Sequence, residues 1–284
     1  MGDRYVVRGV LGTGAMGAVY EVEADGGERL AMKAALPELD DGGEAARRLA
    51  REGNALALLA HDHVVAAVDR LVERGRLYLV MELARGEPLS AIVARGPLPP
   101  RRALVLTRQI LDGLEHAHGR GVVHRDLKPD NVIVTAAGSV ADPYDRVKLL
   151  DFGLVKLLDA AAALVGGGRL TRTGIAFGTP AYIAPESALG RPVDGRADLY
   201  ALGVMLFEML TGRLPFVEAD AGKLLRAHVA TPPPRLGEIA PGAPYATPAM
   251  EALVGGALAK APDQRFARAA AMRACLDDAF LTVS

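Results

Sequence analysis

Only one cysteine, Cys275, occurs in the 284 residues. A lone cysteine excludes an internal disulfide framework and fits a reducing compartment. On a C-terminal helical stretch it reads as a small buried apolar residue rather than a redox group. An excess of either charge is also missing. With 33 Lys and Arg against 34 Asp and Glu, the chain offers no electrostatic case for nucleic acid or an anionic membrane. Long apolar runs are absent too. The most apolar stretch, LYALGVMLFEML (199–210), carries Glu208 and is too short to span a bilayer, so it reads as a buried core helix. The N-terminal MGDRYVVRGV has no long apolar segment of the secretory kind. Val6 also stands where a myristoylation signal needs Ser or Thr. The expectation is a cytoplasmic chain with no membrane segment within it; an anchor beyond Ser284 in a longer parent protein is left open.

What is present is an ordinary globular composition, 50% apolar and 24% charged, enough for one large or two smaller domains. Residues 1–33 read as strands: Tyr5-Val6-Val7, then 18–23 with two-residue alternation, a turn at Asp25-Gly26-Gly27, and 29–33. Residues 44–60 are helix-rich, with Leu49, Leu56 and Leu59 recurring among charges, and strands are expected at 64–72 and 76–82. From Pro88 onward helices dominate, at 101–119, 197–211, 219–229, 247–259 and 267–280. Strands segregated from helices argue for an α+β fold in two lobes, divided at residues 1–84 and 85–284. No internal repeat is visible.

Residues 12–20, GTGAMGAVY, contain Gly12-x-Gly14-x-x-Gly17. With 32 glycines in 284 residues, chance supplies that spacing about 0.4 times per chain, so context must decide its meaning. A dinucleotide fingerprint needs a helix opening at the third glycine. Here β-branched and aromatic residues and a hairpin follow instead. No βαβ unit supports an oxidoreductase.

The strongest signal is His124-Arg125-Asp126-Leu127-Lys128-Pro129-Asp130-Asn131. Twenty residues past Asn131 comes Asp151-Phe152-Gly153, and further on Ala184-Pro185-Glu186 and a late Arg265. In these motifs and their order the chain resembles the protein kinase family, in particular bacterial, eukaryotic-like serine/threonine kinases, over about residues 5–280. The resemblance implies a bilobal kinase fold, with an N-lobe antiparallel sheet plus one helix and a mainly helical C-lobe. It implies ATP as cofactor with Mg²⁺, for which Mn²⁺ could stand in, and protein Ser/Thr hydroxyls as acceptors.

Phosphoryl transfer asks for positioning and charge stabilisation more than for covalent chemistry. By the resemblance, Gly12, Thr13, Gly14, Ala15, Met16 and Gly17 would cover the phosphates, glycine letting backbone N–H groups approach closely. Leu11, Val19, Ala31 and Ile133 would sandwich the adenine, with Met81 behind it and the Glu82 carbonyl and Ala84 N–H at its edge. Lys33 would contact the α- and β-phosphates, held by a helix carboxylate; Glu52 is favoured over Glu44 because it sits mid-helix. Asp126 would accept or orient the substrate proton, and Lys128 would neutralise γ-phosphate charge. Asn131 and Asp151 would be the metal ligands, as hard oxygen donors. Asp198 would brace the catalytic loop, and Arg265 would pair with Glu186; both are structural roles.

The segment from Asp151 to Glu186 runs 36 residues. Thr171 and Thr173 match autophosphorylation positions of the resembled kinases, with Arg125 as a cationic partner for a phosphate. A homodimer would serve phosphorylation in trans. Thr179 would instead bond Asp126 and Lys128. Two departures stand out: Met16 replaces the more usual aromatic at the loop tip, and 135–147 is a long polar connection. A pseudokinase would lack one of Lys33, Glu52, Asp126, Asn131 or Asp151. A small-molecule kinase would lack the Ala184-Pro185-Glu186 ending and its arginine partner.

Overall fold

The computed structural model describes residues 4–14, 17–35, 49–50, 53–73, 76–136, 145–152 and 180–283. Ala15, Met16, Glu44, Glu52, Gly153, Thr171, Thr173 and Thr179 lie outside the described residues. The chain divides into two compact units, Met1–Arg85 and Gly86–Ser284.

The first unit is a five-stranded antiparallel sheet of β1 (Tyr5–Gly14), β2 (Gly17–Ala24), β3 (Arg29–Ala35), β4 (Ala67–Glu73) and β5 (Arg76–Glu82), in the order β1-β2-β3-β5-β4. A hairpin follows the glycine motif, as the sequence requires: β2 pairs antiparallel with β3, Val22 opposite Leu30, and the motif itself closes a first hairpin in which Gly14 pairs with Gly17. Strand β1 does not stop before the motif but runs through it to Gly14. Leu30, Met32 and Ala34 alternate onto one face and pack with Tyr5, Val22, Tyr78 and Val80, as the two-residue period of a strand demands. The opposite face is covered as well, so β5 is buried continuously from Leu77 to Met81. Residues 49–50 and 53–56 are helical. A Cβ on Gly53 would lie 3.1 Å from Leu79 Cδ1, so the helix meets the sheet there. The helix expected over 44–60 ends early, because 57–60 form a turn and an irregular stretch.

The second unit begins with a small sheet of β6 (Glu87–Pro88), β7 (Val132–Thr135) and β8 (Arg146–Leu149). Its helices are α1 (Leu89–Val93), α2 (Pro100–His118), α3 (Pro185–Ala188), α4 (Arg196–Thr211), α5 (Ala221–Ala230), α6 (Leu236–Ile239), α7 (Pro248–Ala257) and α8 (Ala269–Phe280). Pro100 starts α2, where its missing N–H is no loss, and Leu104, Leu111 and Leu114 line its buried stripe. Helix α4 is the core: Leu199 through Phe207 are all buried. A Cβ on Gly203 would come 2.6 Å from the Ala257 Cβ, so only glycine lets α4 and α7 approach this closely. Gly212 caps α4 in the left-handed region at φ 68°. The long helices start and end within three residues of expectation, whereas α1, α3 and α6, at four or five residues each, are too short to show a period. Cys275 is half-buried rather than buried, because Ala269, Met272, Leu276 and Ala279 take the inner face of α8. Among the described residues no helix is long and apolar enough to cross a membrane.

Candidate active site

Residues 122–128 have no regular structure of their own, so something must hold them. Asp198, in the first turn of α4 and 1% exposed, does so. Its Oδ2 accepts from the His124 backbone N–H at 2.8 Å and meets His118 Nε2 at 2.7 Å, while Oδ1 accepts from the Arg125 N–H at 2.8 Å. Arg125 needs this support, since its φ of 64° is left-handed; for a residue with a side chain that costs roughly 1–3 kcal/mol.

One residue on, Asp126 is drawn into a knot. Asn131 Nδ2 donates to the Asp126 carbonyl at 2.8 Å and to its Oδ2 at 3.3 Å. Lys128 Nζ stands 3.5 Å from the same Oδ2. Pro129–Asn131 form a 3-10 turn that brings these side chains together. The turn is then tied to the strand of the second motif: Leu150 N–H donates to the Asn131 carbonyl at 2.9 Å, and His124 Nε2 meets the Leu150 carbonyl at 2.9 Å. A carbonyl only accepts, so Nε2 carries the ring proton and Nδ1, buried without a partner, is bare. Burial holds His124 below the usual histidine range. Its ring lies 4.6 Å from that of Phe152. Between Leu150 and Phe152, Asp151 adopts φ 49°, a second left-handed residue with a side chain.

Because Asn131 turns its amide nitrogen to Asp126, its amide oxygen is the end suited to a cation. That oxygen and the Asp151 carboxylate are both hard donors, of the kind Mg²⁺ takes. Among the described residues no group of three or more His, Cys, Asp or Glu side chains is set to hold a metal ion.

Glu186 and Arg265 form a buried two-pronged pair at 2.7 Å on each oxygen. Arg265 also donates to the Ala259, Lys260 and Arg196 carbonyls. Tyr182, ahead of Glu186, donates to Glu208 at 2.6 Å.

In the first unit, Lys33 is central in β3, opposite Val19 on β2 and Leu79 on β5. Leu79 is the residue lying against Gly53, the neighbour in sequence of Glu52. Ala31 sits opposite Met81, and both are buried. Glu82 N–H donates to the Ala66 carbonyl, and its Oε2 accepts from Ala66 N–H. Leu11 is exposed, and a Cβ on Gly12 would meet nothing within 4 Å. Ile133 is half-buried on β7 of the second unit.

The His118 contact to Asp198, the Tyr182–Glu208 bond and the two left-handed residues leave no mark in the residue pattern around them.

An antiparallel sheet with a lysine on its third strand, and a helical unit with a braced His-Arg-Asp loop, are the arrangement that the resemblance to protein kinases implies. The protein kinase domain family model matches residues 5–280, and the chain belongs to that family. It is 43% identical over 267 residues to the serine/threonine-protein kinase Pkn1 of Myxococcus xanthus, covering 94% of this chain and 37% of that protein. It is 36% identical over 280 residues to the serine/threonine-protein kinase PknD of Mycobacterium tuberculosis, covering 98% of this chain and 40% of that protein. The crystal structure of the M. tuberculosis PknI kinase domain superposes with a TM-score of 0.71 at 30% identity, covering 98% of this chain and 95% of that one. The fold is that of a bacterial serine/threonine-protein kinase domain. The chain spans less than half the length of Pkn1 or PknD.

Proposed function

We propose that this chain transfers the γ-phosphoryl group of ATP to Ser and Thr hydroxyls of proteins. The observation that carries the proposal is the knot of Asp126, Lys128 and Asn131, held from below by Asp198. A carboxylate fixed by an ammonium 3.5 Å away is a base whose direction is set before substrate arrives, and preorganisation is the main source of rate in phosphoryl transfer. Asp126 orients the acceptor hydroxyl and takes its proton; Lys128 offsets charge on the transferring group. Lys33, with Glu52 holding it, orients the α- and β-phosphates. That pairing is supported by the place of Gly53 on Leu79, the strand neighbour of Lys33.

Leu11, Val19, Ala31, Met81, Glu82 and Ala84 of the first unit, and Ile133 of the second, are proposed to contact the adenine. Residues 12–17 are proposed to cover the phosphates. Asn131 and Asp151 are proposed to hold Mg²⁺, or Mn²⁺ in its place, which when bound neutralises phosphate charge. The divisions at 1–84 and 85–284 are proposed to correspond to N- and C-lobes. Thr171 or Thr173 is proposed as an activating phosphosite, modified in trans by a second copy, and the chain is proposed to act in the cytoplasm. The Glu186–Arg265 pair favours a protein acceptor over a small molecule, because it anchors the segment that would carry the acceptor site.

Incubation with radiolabelled ATP, Mg²⁺ and a basic acceptor protein tests the reading. Wild type should label Ser and Thr, and Asp126→Asn should lose at least about a hundredfold in kcat, the lower range for removing a positioned base. Equal labelling by the two would refute the mechanism. Mass mapping of the active enzyme that finds no phosphate on Thr171 or Thr173 would sink the phosphosite proposal.

A further inference from the structure

Away from the catalytic loop, the second unit contains another polar cluster, with Lys260 at its centre. The ammonium donates to the carbonyls of His228 at 2.8 Å and Ala227 at 3.2 Å, in the last turn of α5, and reaches the Tyr200 hydroxyl of α4 at 3.5 Å. It stands 4.1 Å from the centre of the Phe216 ring. Carbonyls at a helix C-terminus lack intrahelical donors and carry the negative end of the dipole, so a cation suits them. The Tyr200 hydroxyl meets His228 Nδ1 at 3.0 Å. An ammonium can only donate, so Tyr200 accepts from Lys260 and its hydroxyl donates to His228 Nδ1. His228 is fully buried. Its other ring nitrogen makes no well-formed hydrogen bond, and the backbone of Ala181 is the polar group that favours its protonation.

Ala181 opens the short stretch 181–184 that leads into α3 and Glu186. The next residue, Tyr182, is bonded to Glu208 and feels the charge of Asp130 in the catalytic turn. The stretch is thus tied to α4 through Tyr182 and Glu208, and at Ala181 it lies beside His228 of the Lys260 cluster. Helix α5 packs against α3 as well. None of the catalytic roles assigned above uses Lys260, Tyr200 or His228.

We propose that Lys260 is a positioning residue for the protein substrate: through Tyr200 and His228 its ammonium fixes the stretch 181–184 and the last turn of α5 beside the catalytic turn. This rests on the protein kinase reading above. The charged and titratable groups facing the ammonium are Arg265, whose guanidinium lies over Tyr200, the neutral His228, the Tyr200 hydroxyl and, behind Arg265, Glu186. Burial, with Arg265 adding to it, pushes Lys260 down to about 8. Acceptor binding therefore weakens as pH rises through that value.

Steady-state kinetics with a basic acceptor protein, run beside amide hydrogen exchange, test the proposal. Lys260→Met should raise the acceptor KM about tenfold, leave kcat and the KM for ATP within about twofold, and abolish the rise in acceptor KM through about pH 8. Exchange should quicken at Thr231, whose amide shares the Ala227 carbonyl with Lys260, and at Ile183, while α2 is unaffected. Tyr200→Phe keeps the ring and removes only the hydroxyl joint, so it should reproduce the effect at Ile183 and not at Thr231. Unchanged acceptor KM with unchanged exchange overturns the proposal. So does faster exchange throughout the second unit with kcat falling in parallel, the mark of a merely structural lysine. If wild type labels no protein, the kinase reading fails instead, and the exchange comparison still decides whether Lys260 holds the stretch.

Discussion

The two units keep their functional groups in place by different means. Among the described residues, the buried polar and charged side chains are Thr107, His124, Asn131, Glu186, Asp198, His228 and Arg265, and all lie in the second unit. The first unit buries apolar groups, and Lys33 gets its position from antiparallel register between Val19 and Leu79. In a sheet the backbone ladder is itself the ruler. The His124–Asn131 loop and the turn at Asp151 have no such ladder; each is irregular and holds one left-handed residue, Arg125 and Asp151. A loop of that kind persists only where surrounding bonds over-determine it. The carboxylate of Asp198, accepting from two loop amides, and the Asn131 amide supply those bonds. Isosteric changes of polarity should therefore damage the second unit far more than the first.

The largest effect on stability is expected at Glu186 and Arg265. Their side chains are 6% and 0% exposed, so Glu186→Gln leaves a guanidinium buried with its charge uncompensated. Breaking one partner of such a pair costs about 3–5 kcal/mol. Chemical denaturation of wild type and variant measures it. Replacing both partners by apolar residues should recover part of the loss, since the desolvation of two charges is then avoided. A loss below about 1 kcal/mol for Glu186→Gln, of the size of a surface pair, would erase the contrast between the units.

How far the sequence discloses these arrangements depends on how local they are. Asp126, Lys128 and Asn131 stand within six consecutive positions, so their meeting in one turn is legible in the sequence itself. The hairpin at Gly14 and Gly17 is equally local, and the residue types that follow it specify strand rather than helix. Glu186 and Arg265 are 79 residues apart; only the order of motifs in the resembled family joins them. His118 with Asp198, and Lys260 with Tyr200 and His228, are joined by packing of separate helices. Nothing in the residues around His118 or Lys260 distinguishes them from surface histidine and lysine. The left-handed backbone at Arg125 and Asp151 is hidden for another reason: neither is glycine, so the strain is imposed by partners rather than announced by residue type. Ala15, Met16 and Glu52 remain readable only from the sequence.

A second, smaller effect sharpens the contrast through pH. Burial, with Lys260 adding to it, holds His228 down at about 4, against about 6.5 in an unfolded chain. The unfolded state thus binds the proton more readily, and stability falls as the pH drops. The contribution is complete above about pH 6.5 and is lost progressively toward about 4, to a limit of about 3 kcal/mol. His228→Asn cannot charge, so its melting temperature should fall less between pH 7 and 4.5 than that of wild type. Equal falls would place the acid sensitivity elsewhere.

The smallest effect should come from a polar bond in the first unit. Tyr5 donates to Asp69 Oδ2 at 2.9 Å, linking β1 to β4, and the ring is part of the sheet's apolar core. Asp69 differs from Glu186 in keeping a second partner, the largely exposed Arg4 at 3.0 Å, and in reaching solvent. Tyr5→Phe retains the buried ring and leaves behind a carboxylate that is still paired and hydrated. The loss is then the net worth of one ordinary hydrogen bond, about 1 kcal/mol. Register in β3 does not depend on that bond, so the KM for ATP should stay within about twofold. Denaturation and ATP kinetics on the same preparation check both numbers. If Tyr5→Phe destabilises as much as Glu186→Gln, or shifts the ATP KM tenfold, then the sheet too relies on polar bracing, and register alone does not place Lys33.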